Sequence, residues 1–225
     1  MSVRRPLGWA GEVLITVGAL LLLFVAWQLW WTDVVANRAA AQVVDGLRDD
    51  FARAPDGQAG EDATGAVATG DAFALMYVPR LGADWVRPVV EGTGTDELSS
   101  GIGHYDGTAA PGQVGNFAVA GHRTTWGRPF HDIDTLAAGD RVVVETAAHV
   151  YVYAVTGHEI VAPDDVAVIA PVPDEPGTAA SDPVLTITSC HPKYSAAQRY
   201  VVHARLEQTV DAADLDAARS GEEVG

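Results

Sequence analysis

The chain carries one cysteine, Cys190, and it stands at the end of a stretch patterned as a β-strand. Within VLTITSCHPKYSAAQR (184–199), Val184 to Thr188 alternate apolar and hydroxyl side chains, the period-2 signature of a half-buried strand. A lone thiol at a strand end, with histidines elsewhere in the chain, is a candidate nucleophile; a buried inert thiol and an intermolecular bridge are the other readings. A single cysteine excludes an intramolecular disulfide framework. A thiol with a pKa of about 8.5 is mostly protonated at neutral pH, so catalysis by Cys190 would need a base or a positive neighbour.

Seven histidines could supply that base: 104, 122, 131, 149, 158, 191 and 203. His149 and His158 lie in or beside an alternating strand pair and read as surface or cross-strand residues. His191 adjoins the cysteine, but neighbours at a strand end point apart, and His203 follows Val202 on the opposite face of its strand. His122 differs, because it closes the apolar strand GNFAVAGH (115–122) and precedes a polar turn, RTTWG. It thus occupies the same kind of position as Cys190. Pattern alone leaves that pairing open against a fortuitous one. Arg199 cannot act as a base, but its guanidinium can donate two hydrogen bonds to a substrate carbonyl or a developing oxyanion. The other reading of Arg199 is a strand-end arginine paired with an acid.

Several chemistries are excluded by spacing. The interval from Cys190 to Arg199 is too long for the phosphate loop of tyrosine phosphatases, and histidine before cysteine is the wrong order for papain-like proteases. The paired ligand spacings of structural zinc are absent. Asp164, Asp165, Asp174 and Glu175 could bind Ca²⁺, with a solvated loop as the commoner explanation.

The rest of the chain must deliver and position these groups. Net charge is −16, and the single lysine, Lys193, stands beside thirteen arginines, so the clustered cations that nucleic-acid binding needs are missing. From Val13 to Trp31 the sequence VLITVGALLLLFVAWQLWW is almost wholly apolar. At about 1.5 Å per residue it covers roughly 28 Å, close to a bilayer core of about 30 Å. Its terminal Trp27, Trp30 and Trp31 suit a membrane interface better than a signal-peptidase site, so an uncleaved signal-anchor is expected. Arg4 and Arg5 would stay cytoplasmic, placing the remainder outside. That remainder is still acidic, with 12 basic residues against 29 acidic ones. Five segments follow: a cytoplasmic N-terminus (1–12), the membrane span (13–31), a juxtamembrane helix and Gly-rich linker (32–70), a globular domain (71–207) and a frayed or disordered tail (208–225).

The globular segment reads as mostly β. Strands are expected at 73–79, 84–92, 115–122, 141–147, 149–161, 184–190 and 199–207, with a hairpin across Ala148. A helix start is marked at Thr95, a single helical turn is expected within 128–136, and a Pro- and Asp-rich connection of unusual length spans 162–182. Many short strands with few helices favour a closed or nearly closed barrel.

Together GIGHYDGTAAPGQVGNFAVAGHR, the continuation to HDIDTL, and TITSCHPKYSAAQRYVVHARL resemble the sortases, membrane-anchored cysteine transpeptidases of Gram-positive bacteria. The resemblance covers about Phe73 to Leu206, and the short interval from Cys190 to Arg199 is similar to class E. It implies a closed eight-stranded β-barrel in which His122, Cys190 and Arg199 meet, with Thr188 and Ser189 as substrate-binding positions. It also implies cleavage of an LAxTG- or LPxTG-like sorting signal between Thr and Gly, followed by transfer to a peptidoglycan-precursor or pilin-lysine amine. The resemblance implies no metal or organic cofactor. Partners would be secreted proteins bearing the signal, and the location a single-pass plasma-membrane anchor with the catalytic domain outside. One departure is TITSC where the family pattern is TLxTC: Ile187 should only repack, while Ser189 lacks a methyl beside the nucleophile. A non-enzymatic, membrane-tethered barrel that binds an envelope peptide is the alternative, and a thioester hydrolase lies between the two.

Overall fold

The computed structural model describes residues 4–53 and 67–221. Eight strands form a closed barrel: β1 (Ala72–Tyr77), β2 (Val86–Glu91), β3 (Ile102–His104), β4 (Gly115–Ala120), β5 (Arg141–Glu145), β6 (His149–Val161), β7 (Pro183–His191) and β8 (Gln198–Asp211). Around the barrel they run β1-β2-β3-β4-β7-β8-β6-β5, closing through β5 against β1. The β2/β3 and β4/β7 ladders are parallel and the others antiparallel. Closure leaves no open edge, so every strand finds hydrogen-bond partners on both sides.

Side-chain alternation divides the molecule into an interior and an outer surface. Met76, Val89, Ile102, Phe117, Val119, Leu185, Ile187, Tyr200 and Val202 fill the barrel, joined by Phe130 and Ile133 from the loop after β4. The intervening residues face outward. On the β1/β5/β6 wall those are Leu75, Tyr77, Val143, Val150 and Val152, and two helices cover them.

The first of these, α1 (Arg4–Arg53), is 50 residues long. Its most apolar stretch has a mean hydropathy of 2.2 and is wholly unburied, long and apolar enough to cross a membrane. Beyond it, Ala36, Ala40 and Val44 recur every fourth residue and are buried. Val44, Leu47 and Phe51 pack on the barrel wall, so the juxtamembrane part of the helix lies along the barrel. At that seam the Tyr77 hydroxyl donates to Glu145 Oε2 (2.6 Å) and accepts from Arg48 Nη2 (3.5 Å). Burial and the facing carboxylate push the Tyr77 phenol up to about 12, so it stays neutral and keeps its donor.

The expected elements differ from these in three places. Strand β3 has only three residues, too few for alternation to reveal, and directly follows helix α2 (Thr95–Ser100). That helix is capped by Gly94, so Thr95 is its first turn and not its cap. The chain also stays ordered past Glu207: β8 runs on to Asp211, because β6 begins at His149 and pairs with it there. A 3₁₀ turn and helix α3 (Leu215–Ser220) follow, with Ala218 buried against the wall. The helical turn expected within 128–136 is a 3₁₀ turn at Ile133–Thr135. Most of the Gly-rich linker lies outside the described residues.

Tyr77→Phe would leave the Glu145 carboxylate without its shortest hydrogen bond. The expected cost is about 1–3 kcal/mol, read as a lower urea midpoint at constant slope. An unchanged midpoint would mean that this pair contributes nothing to stability.

Candidate active site

Strand β7 lies between β4 and β8, and its two registers bring the sequence-derived residues together. In the parallel ladder Ala118 pairs with Thr186 and Ala120 with Thr188, and Gly121 N donates to Thr188 O (3.1 Å). His122 follows two residues beyond Ala120, as Cys190 follows two residues beyond Thr188. In the antiparallel ladder Cys190 pairs directly with Arg199. Directly opposed residues hold their Cβ atoms about 4.5–5.5 Å apart on one face. Cys190 and Arg199 therefore share the outer face of β7 and β8, in line with Thr186, Thr188, Val201 and His203, and His122 lies two residues past the end of the neighbouring β4. The approach to His122 is closely fitted: a Cβ on Gly121 would press into the Phe130 ring.

Cys190 is a free thiol, half-buried. His122 is also half-buried, and its Nε2 is shut from solvent with no hydrogen-bond partner among the described residues. Burial lowers its pKa below the ordinary 6.5, so the resting ring is neutral and has a nitrogen able to take a proton. The Arg199 guanidinium donates through Nη1 to Ala196 O (3.1 Å) and Gln198 O (3.0 Å). Among the described residues no acid lies within ion-pair distance of it, which sets aside the reading of a strand-end ion pair.

The two substrate-binding expectations separate. Thr188 stands on the Cys190 face but is buried, its Oγ1 3.0 Å from the Tyr105 hydroxyl and donating to Val119 O. Ser189 is one residue out of phase and points into the barrel, where it is 3% exposed. Its Oγ donates to Gly121 O (2.8 Å). Alternation turns Ser189 into the barrel, where its hydroxyl holds the backbone just before His122.

Arg123 was not singled out from the sequence. It follows His122 directly, yet only 2% of it is exposed. Its Nη1 donates to Cys190 O (3.3 Å) and lies 3.1 Å from His191 Nδ1, while Nε donates to His131 O (3.4 Å). Nη2 pairs with Asp134 (2.9 Å), and the guanidinium lies 5.3 Å from the centre of the Tyr200 ring. One buried fork thus ties the strand end bearing His122 to the backbone of Cys190 itself. Nearby, Lys193 on the β7–β8 connection pairs with Asp132 (3.0 Å) and holds that carboxyl below its ordinary value. The only sequence signal for Arg123 was an arginine in a polar turn, which is ordinarily solvated.

The other histidines are occupied elsewhere. His104 is buried between Glu91 (2.7 Å), Thr108 and Ala109 O, and His158 stacks on Tyr200. Of the four acids considered for Ca²⁺, only Asp174 falls within a group of potential metal ligands.

Comparison with known proteins agrees with this architecture. Residues 76–207 match the sortase domain family model. Sortase SrtE2 of Streptomyces coelicolor is 36% identical over 88% of this chain and 81% of its own length. Sortase SrtE1 of the same organism is 39% identical over 87% of this chain, which spans 56% of that relative's length. The solved sortase E of Streptomyces avermitilis superposes with a TM-score of 0.60 at 45% identity, covering 65% of this chain and 94% of the other. The chain belongs to the sortase family, and its similarity to SrtE1, SrtE2 and the solved sortase E supports class E.

Two outcomes follow from this geometry. Arg123→Ala removes donors from two backbone carbonyls, at an expected cost of about 1–3 kcal/mol in denaturant unfolding, with part recovered by Arg123→Lys. Full stability in Arg123→Ala would show that the fork holds nothing. For His122 the folded pKa lies below the unfolded one, so the unfolded chain takes the proton first. Its contribution is fully present above pH 6.5 and declines as the pH falls through that value towards the folded pKa. The stability advantage of the parent over His122→Gln should therefore shrink between neutral and mildly acidic pH; a constant difference would contradict the depressed pKa.

Proposed function

We propose that this chain is a cysteine transpeptidase of the sortase type, anchored by α1 with its catalytic domain outside the membrane. The observation that supports the reading is the direct pairing of Cys190 with Arg199 across β7 and β8, with His122 two residues beyond the Ala120–Thr188 pair of the adjoining ladder. His122 takes the Cys190 proton, and the thiolate attacks the Thr–Gly carbonyl of an LAxTG- or LPxTG-like sorting signal. Arg199 turns its remaining donors on the tetrahedral oxyanion. The His122 imidazolium then protonates the leaving glycine amine, the C–N bond breaks, and a thioester to Cys190 remains.

An incoming amine, from a peptidoglycan precursor or a pilin lysine, gives up a proton to His122 as it attacks that thioester. The new amide forms and the thiol is restored. No step uses a metal or an organic cofactor. Residues 71–207 are assigned as the catalytic domain and 13–31 as the span. Arg4 and Arg5, retained on the cytoplasmic side, supply the orientation.

The full chain in detergent, given an LAxTG or LPxTG peptide and an amine, is expected to yield the transpeptidated product. Cys190→Ala should abolish turnover, and Arg199→Ala should lower it by about 10²–10³. If neither peptide is turned over while Cys190 is alkylated with a His122-dependent pH profile, the substrate class is wrong. If the thiol is inert as well, the chain is a binding module.

A further inference from the structure

A second cluster of functional side chains stands on the same outer face as Cys190, four positions back along β7. Thr186 pairs there with His203 of β8. Glu159 reaches the cluster from β6, and Asp174 comes from the long 162–182 connection. One ligand atom from each of Glu159, Asp174 and His203 lies within 4.8 Å of the other two, a grouping unique among the described residues. His203 Nε2 is 2.8 Å from Glu159 Oε1, and Nδ1 is 3.2 Å from the fully buried Thr186 hydroxyl.

That hydroxyl can accept as well as donate. With Nδ1–H directed to Thr186, Nε2 presents its lone pair to the two carboxylates, the tautomer and outer-shell support that metal-bound histidines adopt. Asp174 is held in place: its backbone N donates to Ala167 O (3.0 Å), and its φ of +64° aims the side chain from a left-handed turn. Burial and the facing Glu159 raise the Asp174 carboxyl above its ordinary value, as expected of like charges pressed together.

We propose that Glu159, Asp174 and His203 form a three-ligand site for a divalent metal ion of the zinc and manganese class, completed by water. One imidazole with two carboxylates is a zinc-type donor set, whereas calcium would take oxygen ligands alone. The ion would displace the proton shared at His203 Nε2 and neutralise the two carboxylates. Its role is structural. The 162–182 connection is already fastened on the β4 side, where Asn116 Nδ2 donates to Val168 O (3.1 Å) and Ala170 O (3.0 Å). A metal at Asp174 fastens it on the β6/β8 side as well, fixing the roof over the face that leads to Cys190. The site stands independently of the catalytic reading.

The test uses the full chain in detergent carrying Cys190→Ala, so that a thiolate–imidazole pair cannot compete for zinc. After chelator stripping, zinc, manganese and calcium are titrated separately by calorimetry, with bound metal counted by elemental analysis. One zinc or manganese per chain is expected, weakened at least tenfold by His203→Gln and by Asp174→Asn. Bound metal should also slow proteolysis within 162–182. Asp174 is exposed, so Asp174→Asn should keep the metal-free melting temperature and serves as the variant that must fold. Absence of stoichiometric binding overturns the proposal, as does affinity unchanged in both variants or a preference for calcium.

Discussion

The double pairing of β7 is the constraint on which the rest of the structure depends. On one side it runs parallel to β4, and on the other antiparallel to β8. Because side chains alternate with a period of two, a slip of one residue in either ladder would send a member of the His122–Cys190–Arg199 set to the other face. The interior resists such a slip. Phe117, Val119, Leu185, Ile187, Tyr200 and Val202 all point inward, and any one-residue shift would expose them. The same burial that stabilises the barrel therefore aligns the thiol, the imidazole and the guanidinium.

Backbone pairing alone ends just short of the site. The ladder of β4 against β7 stops at Ala120 and Thr188, and the chain then leaves the sheet. Two side chains extend the alignment beyond that point. Ser189 holds Gly121 O from inside the barrel, and Arg123 reaches Cys190 O from the other strand end. The buried guanidinium is neutralised by Asp134 and stacked on Tyr200, so its charge is satisfied without access to water. Among the described residues His122 Nε2 is left without a hydrogen-bond partner, and Cys190 is a half-buried free thiol.

The outer surface is divided between anchoring and chemistry. The β1/β5/β6 wall is apolar and covered by α1 and α3, so the helix that is long enough to span a membrane continues straight onto the barrel. The β4/β7/β8 wall instead carries small, hydroxyl and titratable residues, roofed in part by the 162–182 connection through Asn116. The apolar helices pack on one wall, and the 162–182 connection is tied down on the other.

Much of this was legible in the chain itself. Alternation located seven of the eight strands, the tryptophan-bounded apolar run marked the stretch long and apolar enough to cross a membrane, and the motifs around His122, Cys190 and Arg199 carried the family. What escaped was short or context-dependent. Three residues cannot display a period, so β3 was hidden, and the order of 208–211 depends on β6 starting early enough to pair with it. The inward placement of Ser189 and the burial of Arg123 are not legible locally, because neighbours in sequence face opposite ways and a turn arginine is ordinarily solvated. The sequence by itself determined which groups could react and that they sit at strand ends, since both follow from residue type and periodicity. Only the tertiary structure decided that they share a face, that Ser189 and Arg123 brace them, and that His203 meets Glu159 and Asp174. Those are matters of register and burial between segments distant in the chain, which no local pattern encodes.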